Sequence, residues 1–161
     1  MTTSFTRLEE ADRGEVPTAL CRLDSGWVFF GESQFLRGYC ILFAHPKAGS
    51  LGQLAGDDRA VFLRDYALLG DAVQAATGAV RINYSILGNV LPILHGHIFP
   101  RYDSEDPVYR PKAVWTYPDF EARSPRFDLA QSADLMARTC AELEKLGAKV
   151  QDRDYPWLSH V

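Results

Sequence analysis

The chain has 161 residues, 47% of them apolar and 24% charged, with a formal net charge of −4. That length and mix describe a single globular domain over residues 1–161, large enough to bury a core without cross-links. The negative balance argues against a general nucleic-acid binder, which needs a basic face. It leaves room for a small anionic ligand held by backbone N–H groups and a few local side chains. Cys21, Cys40 and Cys140 are odd in number and widely spaced. They fit neither a disulfide framework nor a CxxC zinc site, which points to a reducing compartment. Residues 1–12 carry Arg7, Glu9, Glu10 and Asp12 and lack the apolar stretch of a signal peptide. The longest apolar run, 39–44, is far too short to span a bilayer. The expectation is a cytoplasmic protein without a membrane segment.

Residues 1–24 give a weak signal, with a short strand over 20–23. Trp27, Val28, Phe29 and Phe30 predict a strand, because aromatic and β-branched residues suit a pleated, half-buried surface. Residues 31–38 read as a turn region, and 38–44 as a buried strand that completes a hairpin. Pro46, Gly49 and Gly52 mark a loop, and Asp57 or Asp58 can cap the helix that follows. Phe62, Tyr66, Leu69, Val73 and Ala76 recur at steps of three and four, one buried helical stripe, and Gly78 ends it. Over residues 79–86, Val80, Ile82, Tyr84 and Ile86 alternate with Arg81, Asn83 and Ser85, the period of a strand. Leu87, Gly88 and Asn89 form a turn. Residues 91–99 form the next strand, stopped by Pro100. Residues 103–125 read as an ordered excursion, since Trp115, Tyr117 and Phe120 need packing partners. Asp128 with Gln131 forms a capping box, and Leu135, Thr139, Leu143 and Leu146 make a second helical stripe, ended by Gly147. In the tail, residues 148–161, the run Tyr155, Pro156, Trp157, Leu158 suggests docking. Strands joined by short connections, with two helices, predict an α+β fold with an antiparallel sheet.

The chemistry concentrates in residues 83–101, which hold two of the four histidines. His95 and His97 are two apart on a strand, so both side chains leave one sheet face, roughly 7 Å apart along the chain. Gly96 lies on the other face, where a glycine permits close approach of a backbone or a ligand. Three readings fit this pair. A neutral imidazole can attack phosphorus while its neighbour donates a hydrogen bond to phosphate or to the leaving oxygen. The pair can ligate a metal, as in cupin-like barrels, if a further carboxylate and histidine converge. The nearest downstream acid is Glu105, beyond Pro100 and Arg101, and two strong helices do not suit a cupin. Finally, both histidines can be structural. Asn83 lies on the polar face of its strand, and Asn89 follows a glycine turn that can present backbone donors.

The segment resembles the histidine triad (HIT) motif, in which histidines alternate with apolar residues and Pro-Arg often follows. It is most similar to a bacterial branch of that family through Asn83, Tyr84, Leu87, Gly88, Asn89, Pro92, Leu94, His95, His97, Ile98, Pro100 and Arg101. The likeness extends upstream to Arg37, Gly38, Tyr39, Cys40, Ile41 and Leu42, and covers roughly residues 25–120. The resemblance implies a HIT-like α+β fold, a homodimer, and a hydrolase or nucleotidyl transferase. Its substrate would be a purine nucleotide derivative such as a dinucleoside polyphosphate or a nucleoside phosphoramidate. His95 would attack the α-phosphate to give a covalent nucleotidyl-histidine, and His97 would contact phosphate or the leaving group. Asn83 and Asn89 would line the phosphate and ribose site. Arg101 would face a phosphate, or serve as an ordinary charge past a strand end. Glu32, Ser33 and Gln34 lie where members place an acidic or amide ribose ligand, with Gln34 the candidate. No organic cofactor or protein-held metal is implied. Mg2+ would accompany a polyphosphate substrate.

The sequence departs from the motif at its first histidine, which is Ile93. The nucleophile needs its far ring nitrogen oriented by an acceptor. The resemblance implies a backbone carbonyl beside the first histidine, which isoleucine would preserve. Loss of a supporting side chain weakens a site by about ten- to a hundredfold, so a slowed enzyme is expected. The competing reading is a non-catalytic nucleotide-binding or sensor protein. Lys47 stands where the family tends to place a further histidine. It would supply a phosphate-binding charge or be a solvated loop residue. His45 and His160 are expected at the surface. Phe29, Phe30 and Ile41 could floor a base pocket, with core packing the default, and Cys40 should be buried and inert.

Overall fold

Alternating and aromatic-rich segments build five strands in the computed structural model, which describes residues 4–118 and 125–152. In chain order these are β1 (Ala19–Leu23), β2 (Gly26–Phe30), β3 (Cys40–Ala44), β4 (Arg81–Ser85) and β5 (His95–Arg101). They form one antiparallel sheet in the order β1-β2-β3-β5-β4. Helices α1 (Ser4–Asp12), α2 (Gly56–Thr77) and α3 (Leu129–Lys145) complete the α+β architecture. The expectations placed on Phe120, on Tyr155, Pro156, Trp157 and Leu158, and on His160 lie outside the described residues.

Period two decides the sheet's two faces. Val28, Phe30, Cys40, Leu42 and Ile98 face one side, where they share a core with Phe62, Leu69 and Val73 of α2 and Leu135, Met136 and Leu143 of α3. Trp27, Phe29 and Phe43 face the other, where Leu8 and Ala11 of α1 cover only the β1–β2–β3 half. Among the described residues no α-helix covers the β5–β4 half of that second face, which carries both histidines. Among the described residues no helix is long and apolar enough to cross a membrane. All three cysteines are free and buried.

Several boundaries differ from the sequence reading for physical reasons. Helix α1 was not legible, because nine residues with two deeply buried positions give almost no period. Helix α2 begins at Gly56, after Ala55, with no side-chain cap. Asp57 and Asp58 sit inside its first turn, where they favour the dipole instead. Gly78 does end it in the left-handed conformation, φ 72°, donating to the Gln74 carbonyl. Asp128 caps α3 by accepting from the Gln131 N–H at 3.0 Å. The last long strand is shorter at its start than expected, beginning at His95. It also runs through Pro100 to Arg101. The Ala44 N–H donates to the Leu94 carbonyl and the Val80 N–H to the Arg101 carbonyl. Even-numbered residues of β5 therefore face β3, whose pairing stops at Cys40 opposite Ile98. The donor that Pro100 lacks falls where there is no ladder partner to miss it.

Candidate functional site

On the open face, β5 presents His95, His97, Phe99 and Arg101 in one row. Cross-strand partners share a face. Ser85 pairs with His97, Asn83 with Phe99 and Arg81 with Arg101 on β4, while Phe43 and Ile41 of β3 pair with His95 and His97. The opposite face explains Gly96. A Cβ there would lie 2.5 Å from the Tyr66 ring. The close approach it permits is made by a helix side chain. The Tyr66 hydroxyl donates to the His97 carbonyl at 2.6 Å and accepts from the Ser85 N–H at 2.8 Å, riveting β4 to β5 behind the histidines.

His95 is 8% exposed. Its ring stacks on Phe43 at 5.2 Å and meets the His97 ring edge-on at 4.9 Å. Its Nδ1 lies 2.6 Å from the Ile93 carbonyl oxygen. A carbonyl can only accept, so Nδ1 carries the hydrogen, and the neutral ring keeps its lone pair on Nε2. Isoleucine at 93 thus supplies through its backbone the contact that orients the ring.

His97 has the complementary arrangement. Its Nδ1 lies 2.6 Å from the Tyr39 hydroxyl. Burial pushes the Tyr39 hydroxyl above its ordinary pKa, so it stays protonated. It has no other partner among the described residues, so its hydrogen goes to Nδ1. The neutral His97 ring therefore bears its own hydrogen on Nε2, as a donor. Burial, and secondarily the neighbouring His95, lowers the His97 pKa to about 4, so it is uncharged at neutral pH. Phe99 stacks on both rings, at 4.8 Å from Tyr39 and 5.6 Å from His97, and fixes the pair's plane. One imidazole with a free lone pair beside one with a free N–H is an apparatus for attack on an electrophile bearing anionic oxygens.

The remaining candidates divide. Asn83 is half-buried, with Oδ1 accepting from Arg101 at 2.7 Å, which leaves its amide N–H groups for another acceptor. Asn89 is exposed in the loop from β4 to β5, after Gly88 at φ 70°. Arg101 does not have the free guanidinium that a phosphate contact requires. Its five N–H donors are taken by Glu105, Asn83 and the carbonyls of Arg110 and Lys112. Gln34 is likewise engaged. It donates to the carbonyls of Gly31 and Tyr39 and accepts from the Gly38 N–H, closing the loop under Tyr39. Both residues hold the site's frame.

Lys47 pairs with Glu9 at 3.3 Å, and His45 is half-buried, 3.6 Å from the Asp12 carboxylate. Glu32 pairs with Arg7 at 2.8 Å. Phe29 and Phe30 are core residues, and Ile41 packs on the α1 cluster. Burial pushes the Cys40 thiol far up, away from reactivity. Among the described residues no three His, Cys, Asp or Glu side chains converge as a metal site.

Sequence reasoning missed Tyr39 and Glu105. Tyr39 shares a parity with Ile41 and Phe43, but only the β3–β5 register puts it beside His97. Glu105 looks like any loop acid until the chain turns back onto Arg101. The same turn positions Trp115 and Tyr117 differently from the expectation that both pack. The Tyr117 ring lies 4.9 Å from Phe35 and its hydroxyl donates to Glu105 at 2.6 Å, whereas Trp115 remains half-exposed. Residues 103–115 bound, with β4, Phe99 and Arg101, a cavity of about 930 Å3 that neither histidine lines.

No family model and no curated protein sequence matches the chain. Solved structures do. A histidine triad protein from Sinorhizobium meliloti 1021 aligns with a TM-score of 0.65 at 22% identity, over 83% of this chain and 93% of that one. A histidine triad protein from Marinobacter aquaeolei VT8 aligns with a TM-score of 0.67 at 22% identity, over 80% of this chain and 90% of that one. A hypothetical histidine triad nucleotide-binding protein from Sulfolobus tokodaii strain 7 aligns with a TM-score of 0.66 at 14% identity, over 88% of this chain and 93% of that one. The fold is therefore the α+β fold of histidine triad proteins.

Proposed function

We propose that this protein binds a purine nucleotide derivative and cleaves it at the α-phosphate through His95. The observation that carries this reading is the 2.6 Å contact from His95 Nδ1 to the Ile93 carbonyl, because it sets the hydrogen of the neutral ring on Nδ1 and the lone pair on Nε2. Nε2 attacks the α-phosphorus, an N–P bond forms, and the bond to the leaving oxygen breaks with its electron pair. Water then attacks the same phosphorus, releases the nucleoside monophosphate and restores the imidazole. His97 donates its Nε2–H to a non-bridging or leaving oxygen as charge develops. Asn83 and Asn89 offer donors to phosphate and ribose. Arg101 and Gln34 act as positioning residues. A divalent ion, where one takes part, arrives on the polyphosphate of the substrate. The Sulfolobus protein of the same fold, a hypothetical nucleotide-binding protein, agrees with this reading. A homodimer belongs to the same proposal, and light scattering at working concentration tests it.

The direct test is incubation with diadenosine tetraphosphate, followed by intact-mass measurement at neutral pH. Adenosine monophosphate should appear together with a single adenylyl adduct on His95. His95→Ala should lose the adduct and at least about a thousandfold in rate, with an unchanged far-UV spectrum. Tight binding with no release from the unaltered protein would favour the sensor reading.

A further inference from the structure

Helix α2 meets the back of the histidine strand through two interlocked tyrosines. Tyr66 lies over Gly96, where any Cβ would come within 2.5 Å of its ring. One turn along the helix, Gly70 leaves the matching hollow for Tyr84 of β4, whose hydroxyl would collide with a Cβ there. The two rings meet edge to face, with centroids 5.2 Å apart. A phenylalanine at 66 would fill the Gly96 hollow equally well, so packing does not account for the hydroxyl.

That hydroxyl is committed to the rung that carries His97. Ser85, the last residue of β4, pairs with His97, and the bonding groups of odd-numbered β5 residues point to β4. The Tyr66 Oη accepts from the Ser85 N–H at 2.8 Å and gives its one hydrogen to the His97 carbonyl at 2.6 Å, the Ser85 carbonyl being farther away at 3.3 Å. Burial pushes the pKa of this phenol above its ordinary value, so the hydrogen is kept at neutral pH. Strand β4 is an edge strand and this rung is its last, where a ladder frays first. His97 is thereby held twice. Tyr66 holds its main chain from the helix side, and Tyr39 holds its ring at Nδ1 from the open side, also at 2.6 Å.

We propose that Tyr66 is a positioning residue for His97: from behind the sheet its hydroxyl fixes the main chain so that the ring in front meets Tyr39 and keeps its Nε2–H beside His95. The inference rests on the reading of His95 as nucleophile and His97 as donor. A donor stabilises developing charge only if it is already in place when the charge appears. Hydrogen bonds weaken steeply out of alignment. A spread rung therefore loosens the Tyr39 contact and displaces the donor together.

The test compares Tyr66→Phe with Val73→Ala in the full chain. Val73 is fully buried in the same stripe of α2 and lends no polar group to the site. Both variants should lower the urea midpoint, one by a lost hydrogen bond and the other by a cavity. Only Tyr66→Phe should reach the chemistry. For release of adenosine monophosphate from diadenosine tetraphosphate, its kcat should fall about tenfold with KM within about twofold. Val73→Ala should leave both constants within about twofold. Nitrogen-15 spectra of the substrate-free protein give a readout that needs no turnover. The His97 Nδ1 signal should move toward that of an unbonded ring nitrogen in Tyr66→Phe and stay in place in Val73→Ala. Equal falls in kcat for the two variants, or a His97 signal unmoved by Tyr66→Phe, would overturn the role given to Tyr66 and leave His95 standing. No release by the unaltered protein would overturn the reading of His95, while a His97 signal shifted in Tyr66→Phe alone would still support Tyr66 as the group that places the ring.

Discussion

Strand β5 has two ends built on opposite principles. At the His95 end each imidazole has one nitrogen satisfied, by the Ile93 carbonyl or the Tyr39 hydroxyl. The other nitrogen is left over. At the Arg101 end every donor is consumed, and Glu105 is ringed by Arg101, Tyr102 and Tyr117. Both ends look equally functional as a string of polar residues followed by Pro-Arg. The count of satisfied valences separates them. A group with a spare valence can react, whereas a group with none holds other things in place.

That contrast is most sharply broken at Glu105. Removing one partner of a buried ion pair leaves the other charge stranded, at a cost of about 3 kcal/mol. Glu105→Ala should lower the unfolding free energy by that amount, read from the urea midpoint. Release of adenosine monophosphate from adenosine phosphoramidate should fall far less than in His95→Ala. Burial alone would raise the Glu105 carboxyl, but Arg101, Tyr117 and the Tyr102 N–H outweigh it and hold the pKa below the ordinary value. Its contribution is then full above the unfolded pKa of about 4.3 and is lost as pH falls through the lower folded value. Glu105→Gln should flatten this acid limb of the stability curve. An unchanged urea midpoint in Glu105→Ala would mean that the Arg101 end is not a strut.

How much of this was legible beforehand follows from which forces are local. The stripe of α2, its glycine stop, the α3 cap and the alternation of β4 are set by neighbours within a few residues, and they read directly. The His95–His97 pair was legible for the same reason, since residues two apart on a strand share a face. Tyr39 and Glu105 reach their partners across 58 and 4 residues respectively. The first needs a strand register and the second a loop trajectory, neither of which composition encodes. Helix α1 depends on the apolar face of β2 and β3 to cover, so its own sequence says little. Gly96 reads as a point of close approach on the face opposite the histidines, but the approaching group is the side chain of Tyr66, 30 positions back, rather than a backbone or a ligand.

A smaller effect is expected at Tyr39, where the comparison can be sharpened. Tyr39→Phe keeps the stack on Phe99 and deletes only the hydrogen bond to His97 Nδ1. The ring is then free to exchange tautomers, and its Nε2–H is present only part of the time. The rate constant for nucleotide release should fall about tenfold, with KM changed much less. Nitrogen-15 spectra should show a single Nε2–H tautomer for His97 in the unaltered protein and a mixture in the variant. The pKa of His97, lowered to about 4, has a consequence of its own. Between pH 6.5 and 4 the unfolded chain binds a proton that the folded ring refuses, so stability should decline as pH falls through that window. Activity should show no inflection near 6.5 from His97. A fixed tautomer in Tyr39→Phe would mean that some other group orients the ring.

The smallest effect is expected where the motif is most visibly broken. Ile93 is fully buried and packs in the cluster of Leu8, Trp27, Phe29 and Phe43 under α1. Its side chain belongs to the core, and its carbonyl belongs to the site. Ile93→Val removes one buried methylene, worth about 1 kcal/mol of stability, and leaves the carbonyl where it is. Turnover should therefore stay within about twofold. Ile93→His puts a histidine where the resembled motif has its first, but inserts a polar ring among apolar side chains. An unsatisfied buried polar group costs about 1–3 kcal/mol, so this variant should be less stable and no faster. A rate rise of about tenfold or more in Ile93→His would show that a side chain at 93 carries catalytic weight that the carbonyl does not supply. One accepted hydrogen bond would then not stand in for a whole histidine.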